Sequence, residues 1–152
     1  MIQRIQTLYL LAIAVLAGVM NFLTLSAFKA GEAVYELESF GLSSTGDQKE
    51  IIYSTFALFA ILSVISVLSA GTIFLYKKRI LQIRLCLFNM ILAVGFYAAF
   101  AFYVFVIGNK FGASFSLKIP VVFPLICIIL DWLAIRSIGA DEALVRSYDR
   151  LR

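Results

Sequence analysis

Lys77-Lys78-Arg79-Ile80-Leu81-Gln82-Ile83-Arg84 places four positive charges in eight residues between two long apolar runs. Cations of this kind hold water and anionic headgroups strongly, so a basic connection between bilayer-length segments stays on the side of the membrane where the chain is made. The stretch therefore reads as an inner loop over 77–84, and the topology of the remaining segments follows from it.

The composition requires such a reading. The chain has 152 residues, is 62% hydrophobic and 14% charged, and has a mean hydropathy of +0.99. Soluble domains are roughly half apolar and about a quarter charged, so a water-exposed surface cannot be made from this sequence. The net charge of +4 does not point to nucleic acid, because the basic residues lie between and beyond the apolar runs instead of on one polar face. With no His, no glycine-rich phosphate loop and no paired acids in a plausible cleft, catalysis by the chain alone is not expected, and no cofactor or metal is implied. Cys86 and Cys127 both fall within apolar segments without a CxxC spacing and read as buried thiols.

The expected fold is an all-α membrane protein of one domain over 1–152: a four-transmembrane-helix bundle with a small outer β cap and a short amphipathic C-terminal helix. Span one covers 7–28, 22 residues without a charge; at 1.5 Å per residue that is about 33 Å, enough for a hydrocarbon core of about 30 Å. Its opening resembles a signal peptide, but Leu25 and Phe28 occupy the positions that cleavage after Ala27 or Ala30 would need, so it reads as an uncleaved span. Ala14, Ala17, Gly18, Asn21 and Leu25 share one helical face, a small-residue strip expected to pack against another helix with Asn21 bonding across. Spans two, three and four are expected over 51–76, 85–107 and 119–135. Ser63, Ser66, Ser69 and Ala70 gather on one side of span two, and Asn89, Ala93, Phe96, Phe100 and Tyr103 on one side of span three. Span four contains Pro120 and Pro124, so its outer end is expected to be irregular, with the carbonyl of Pro120 needing a partner other than Pro124. Outer loops then cover 29–50 and 108–118. Within them Tyr35 to Ser39 and Ser114 to Lys118 alternate in polarity and could pair as strands, whereas Gly41 and Ser43 to Asp47 read as loop. With the basic connection inside, nine of the 13 Lys and Arg residues fall on the inner side and four outside, which places both termini in the cytoplasm.

Two regions carry candidate functional residues. Asp131 is the one acid inside a span, and such a residue must be paired, protonated or near water. Its proximity to Trp132 and Arg136 places it near the inner interface, with Arg4 or Arg136 as partner and ion or proton handling as the sharper reading. The tail 136–152 opens its short helix on Asp141 and Glu142 and closes it on arginines, in keeping with a helix macrodipole, with Arg146, Asp149 and Arg150 on the polar side. Its stripe of Leu144, Val145, Tyr148 and Leu151 would lie on the membrane or dock a partner.

The opening Met1-Ile2-Gln3-Arg4-Ile5-Gln6-Thr7-Leu8-Tyr9-Leu10 and the closing Asp141-Glu142-Ala143-Leu144-Val145-Arg146-Ser147, followed by Asp149-Arg150-Leu151-Arg152, resemble the two ends of a family of small four-helix membrane proteins from Bacteroidota that is classed as a domain of unknown function. The resemblance implies a multi-pass inner membrane protein and brings no activity or cofactor. Its two terminal motifs would meet on the cytoplasmic face, where Arg4, Gln3 and Gln6 could bond to Asp141, Glu142 or Asp149. The functional expectation is a non-enzymatic scaffold or accessory subunit of a membrane complex, with the lipid bilayer and a membrane-protein partner or second copy as its contacts and no nucleic acid. The alternative is a small oligomeric transporter or channel using Asp131, Asn21 and Asn89. A third class, an enzyme subunit handling lipid or quinone, would use the aromatic face of span three.

Overall fold

The computed structural model describes residues 3–30, 33–44, 51–75, 78–111 and 114–150. Among these, four long helices and a five-stranded antiparallel sheet alternate along the chain: α1 (Gln3–Met20), β1 (Thr24–Ala30), β2 (Ala33–Glu38), β3 (Gly41–Ser44), β4 (Ile51–Ser54), α2 (Phe56–Phe74), α3 (Arg79–Phe111), β5 (Ser114–Leu117) and α4 (Phe123–Arg150), the last preceded by a 3-10 turn at Ile119–Val122. Consecutive helices are neighbours and α1 also packs on α4, which closes the bundle into a ring. Three stretches, Phe56–Phe74, Arg79–Lys110 and Ile119–Val145, are long and apolar enough to cross a membrane, and the apolar part of α1, Ile5–Met20, is shorter.

Several boundaries differ from the sequence expectation. Span one does not remain helical to Phe28. After Met20 the backbone tightens through i→i+3 bonds, Asn21 N to the Gly18 carbonyl and Leu23 N to that of Met20, and the chain enters β1. Span two does not begin at Ile51, because Ile51–Ser54 pairs with β3 and the helix starts at Phe56. Ile51-Ile52-Tyr53 and Thr24-Leu25-Ser26 are both apolar enough for a span, yet their β-branched and aromatic residues favour an extended backbone where a partner strand is available. The inner loop 77–84 shrinks as well: α3 begins at Arg79, so most of the basic stretch is helical, and Lys78 N closes the turn on the Leu75 carbonyl. Span three extends at both ends, with α3 reaching Phe111, and of the second outer loop Ser114–Leu117 is strand.

The tail is not a separate short helix. It continues α4 to Arg150, since Gly139 costs a helix interior only about 1 kcal/mol and both Ile138 and Asp141 are buried against the bundle. Helix geometry beginning at Phe123 therefore still leaves a long segment.

The sheet has the order β4-β3-β2-β1-β5. The alternating segments expected to pair, Tyr35–Ser39 and Ser114–Lys118, fall mainly in β2 and β5, but β1 lies between them, and Gly41–Ser44, expected as loop, is β3. The register shift between Thr24 and Ser26 inserts Leu25 as a bulge. That extra residue turns Leu25, Ser26 and Phe28 together to the inner face, and all three are fully buried. Opposite them stand Tyr35 and Leu37 of β2, and Leu42 of β3 follows on the same face. Leu25, Phe28, Leu37 and Leu42 pack with Met20, Leu58, Leu62, Phe96, Phe100 and Ile107, so the sheet roofs the cap end of the bundle over α3. On its other face Lys118 Nζ reaches Glu36 Oε1 at 2.8 Å. Thr55, just before α2, secures the corner by donating to the carbonyls of Glu38 and Ser39.

The two prolines produce the irregular start anticipated for the fourth segment. The Pro120 carbonyl accepts from Phe123 N, closing the 3-10 turn. One turn later Tyr97 of α3 enters the backbone ladder: its hydroxyl accepts from Leu125 N at 3.0 Å and donates to the Val121 carbonyl at 2.8 Å, bridging two groups that a regular helix would join directly. Tyr97→Phe removes that bridge, and the expected outcome is a loss of about 1 to 2 kcal/mol of stability, read from denaturation of the purified protein in detergent, with helix content unchanged before the transition.

Candidate functional site

The polarity of the bundle is inverted relative to a soluble protein. Leu8, Ile91, Val67 and Phe105 are 62%, 60%, 71% and 70% exposed, whereas Ser69, Thr72, Gln82, Asn89 and Asp131 are buried. The small-residue strips meet as expected: Ser66 Oγ donates to the Ala14 carbonyl at 2.8 Å, Gly18 leaves room for that hydroxyl, and Asn21 Nδ2 reaches Ser63 Oγ at 3.4 Å. Weak packing contacts and side-chain hydrogen bonds of this kind hold helices together where an apolar surrounding removes the hydrophobic drive.

The centre of the polar interior is Asn89. Its carboxamide nitrogen donates to Ser69 Oγ of α2 at 3.1 Å and to Asp131 Oδ2 of α4 at 2.9 Å, and the Ser69 hydroxyl donates onward to the Ile65 carbonyl at 2.8 Å. Three helices are thus joined through one amide. Asp131 has no exposed surface. Its expected arginine partner is not Arg136: five residues on, that side chain lies about 140° around the helix, exposed, with its guanidinium 5.9 Å from the Trp132 ring centroid. The side chain of Arg4 lies outside the described residues. Cys86, one turn before Asn89, and Cys127, one turn before Asp131, are buried free thiols. Among the described residues no group of three His, Cys, Asp or Glu side chains could hold a metal ion.

A second polar cluster closes the opposite, basic end. Gln6 Nε2 of α1 donates to Asp141 Oδ2 at 2.7 Å, while Arg79, at the start of α3, donates to the Asp141 carbonyl at 3.2 Å and stands 4.0 Å from Glu142 Oε2. Gln82 ties α3 to α2 through the Thr72 carbonyl at 3.3 Å. Of the residues singled out in the tail, Asp141 and Glu142 join this cluster, and the side chains of Arg146, Asp149 and Arg150 lie outside the described residues. Leu144 and Val145 are exposed. Sequence reasoning used Arg79 as a topology signal and not as a partner of the tail, and did not single out Tyr97; the signals for them were the basic start of a helix facing an acidic pair and the two prolines that leave a helix start unbonded.

The aromatic face of α3 is not an open site. Phe96 and Phe100 stack at 6.1 Å between centroids and are covered by the sheet.

A family model described as a domain of unknown function, DUF4293, matches residues 2–151. The chain belongs to that family. No match was found among curated proteins. The DUF4293 model covers both helix-joining clusters, from Gln6 through Asn89 and Asp131 to Glu142.

The contact between Gln6 and Asp141 links the two ends of the family region. In a double-mutant cycle of Gln6→Ala and Asp141→Ala the expected coupling is about 1 to 2 kcal/mol, measured as shifts in the denaturation midpoint; additive losses would mean that the bond contributes nothing.

Proposed function

We propose that this DUF4293 chain is a four-span protein of the bacterial inner membrane, from a Bacteroidota lineage, with both termini cytoplasmic, and that it serves without catalysis as a scaffold or accessory subunit of a membrane complex. The observation that carries the membrane placement is the inverted polarity: apolar side chains cover the outside of the helices while the amides, hydroxyls and Asp131 face one another inside. That arrangement lowers the cost of every polar group in lipid, whereas in water it would leave the apolar exterior exposed at a cost. At 18 residues α1 is about 27 Å long, so its crossing is completed by the turn at Asn21 and the start of β1. The basic residues Lys78, Arg79, Arg84 and Arg136 then gather at the end opposite the sheet, which supports a cytoplasmic location for that end.

The scaffold reading is supported by what the ends present. The interior polar groups are enclosed by packed side chains, whereas the cap shows a charged outer face and α4 projects past the start of α1 with Leu144 and Val145 uncovered. The transporter reading retains one specific observation in its favour, the buried carboxyl of Asp131.

A fluorescent protein fused after Arg152 is expected to fluoresce and a periplasm-dependent phosphatase at the same place to be inactive; the reverse result would overturn the orientation. For the function, purification in mild detergent should yield a stoichiometric partner. A chain that purifies alone and moves a solute into liposomes would instead establish the transporter.

A further inference from the structure

Among the described residues four buried side-chain oxygens lack a hydrogen-bond partner, and two of them belong to one contact: Asn89 Oδ1 and Asp131 Oδ1. Both residues are at least 98% buried, and the helices around them offer no donor for either atom. Two orphaned acceptors beside each other in an apolar interior are costly, each by about 1 to 3 kcal/mol.

The chemistry of the pair shows what would satisfy both. A carboxylic acid and a primary amide associate through two parallel hydrogen bonds, amide N–H to carboxyl oxygen and carboxyl O–H to amide oxygen. The first is present, from Asn89 Nδ2 to Asp131 Oδ2 at 2.9 Å. The two oxygens that the second would join are the two left without a partner. We propose that Asn89 and Asp131, oriented by Ser69, form a proton-binding site, in which one proton taken up on Asp131 Oδ1 is donated to Asn89 Oδ1 and closes the acid–amide ring. The balance is simple: water at the cytoplasmic end supplies the proton, the O–H bond forms on the carboxylate, and no electron moves.

Ser69 fixes the amide for this purpose. By accepting the second N–H of Asn89, while giving its own proton to the Ile65 carbonyl, it selects the orientation that places nitrogen toward Oδ2 and leaves oxygen for the proton. A bare proton also fits the available space. A void that reaches Cys127, one turn before Asp131, and is lined also by Ala17, Leu62, Ile65 and Pro124 is apolar and has no room for a water molecule, so a hydrated cation has no seat in it. The titratable groups within one turn of the pair are the thiols of Cys86 on α3 and Cys127 on α4; farther along the packed helices stand Tyr9 on α1, Arg79, Tyr97, Tyr103 and Lys110 on α3, and Asp141 and Glu142 on α4, while α2 presents Ser69 and the exposed Arg84 and Arg136 project outward. With the proton bound, α3 and α4 are joined by two bonds at this level. Without it, two acceptors oppose each other across the same seam, so proton occupancy sets how tightly the helices close.

The site does not depend on the scaffold reading, and reporter fusions test the membrane placement separately. The test is infrared spectroscopy of the protein in lipid nanodiscs, as acid-minus-alkaline and H2O-minus-D2O differences. The expected result is a carboxylic-acid C=O band, shifted when aspartate is 13C-labelled at the side-chain carboxyl and lost in Asp131→Asn. In Asn89→Leu the band should move to higher frequency, because the C=O no longer accepts the amide N–H. The isotope label keeps the test on the unmodified chain if a variant fails to fold. Absence of such a band in both differences, persistence in Asp131→Asn, or a band driven by sodium at constant pH would each overturn the proposal.

Discussion

A polar group surrounded by hydrocarbon must find its partner inside the protein, and in this bundle one amide meets that requirement for three helices. Asn89 uses both of its N–H groups, one on α2 and one on α4, and the chain from Ile65 through Ser69 and Asn89 to Asp131 crosses the interior without leaving it. Apolar contacts discriminate little between one helix pairing and another when lipid is as apolar as leucine. The directed bonds discriminate strongly. They fix the height of α3 against α4, a register repeated at Tyr97 with Val121 and at Arg79 with Asp141, so the seam is set at three places along its length.

The long apolar segments were legible in the sequence because charge is a sufficient signal for them: Arg79, Arg84, Lys110 and Lys118 mark where apolar runs begin and end. Charge does not distinguish helix from strand within an uncharged run. Thr24–Phe28 and Ile51–Ser54 carry no charge and lengthen the neighbouring helices on paper, yet they are strands because β2, β5 and β3 supply partners that are distant in sequence. A cap was foreseeable from the alternation at Tyr35–Ser39; the strand β1 that joins β2 to β5 was not, since the bulge at Leu25 disguises its alternation. The tail was read as a separate helix because Asp141 and Glu142 look like a helix start, and the burial of Ile138 and Asp141, which carries α4 through, is a tertiary fact.

Asp131 stood out as the only acid in an apolar run, but its partner did not follow from charge. Opposite charge nominated Arg136, five residues away, where helix geometry directs the side chain outward toward Trp132. The actual partner is neutral and lies on another helix, 42 positions away in sequence. An amide can serve a carboxyl in either protonation state, whereas an arginine fixes the charged one. The residue beside Asp131 is therefore of the type that permits a change of state, and among the described residues no arginine reaches the carboxyl to hold it charged.

The cap follows from the unequal helix lengths. α1 and α2 have 18 and 19 residues, α3 has 33, and Tyr97 already stands opposite the start of α4. The remainder of α3 therefore rises beyond its neighbours with Phe100 and Ile107 on one face and Phe102 and Phe105 on the other. Phe102 and Phe105 stay exposed, which suits lipid; Phe100 and Ile107 require a cover that helices of this length do not reach. The sheet supplies it. This explains why β1, which leaves α1 without passing through a charged loop, is bonded on both edges, to β2 and to β5, and why the outermost strands are short, with the charged pair Lys118 and Glu36 on the face turned away from the bundle. The same rule that buries the amide of Asn89 thus places β1, which carries the buried Leu25 and Phe28, between two partner strands instead of at an edge of the sheet.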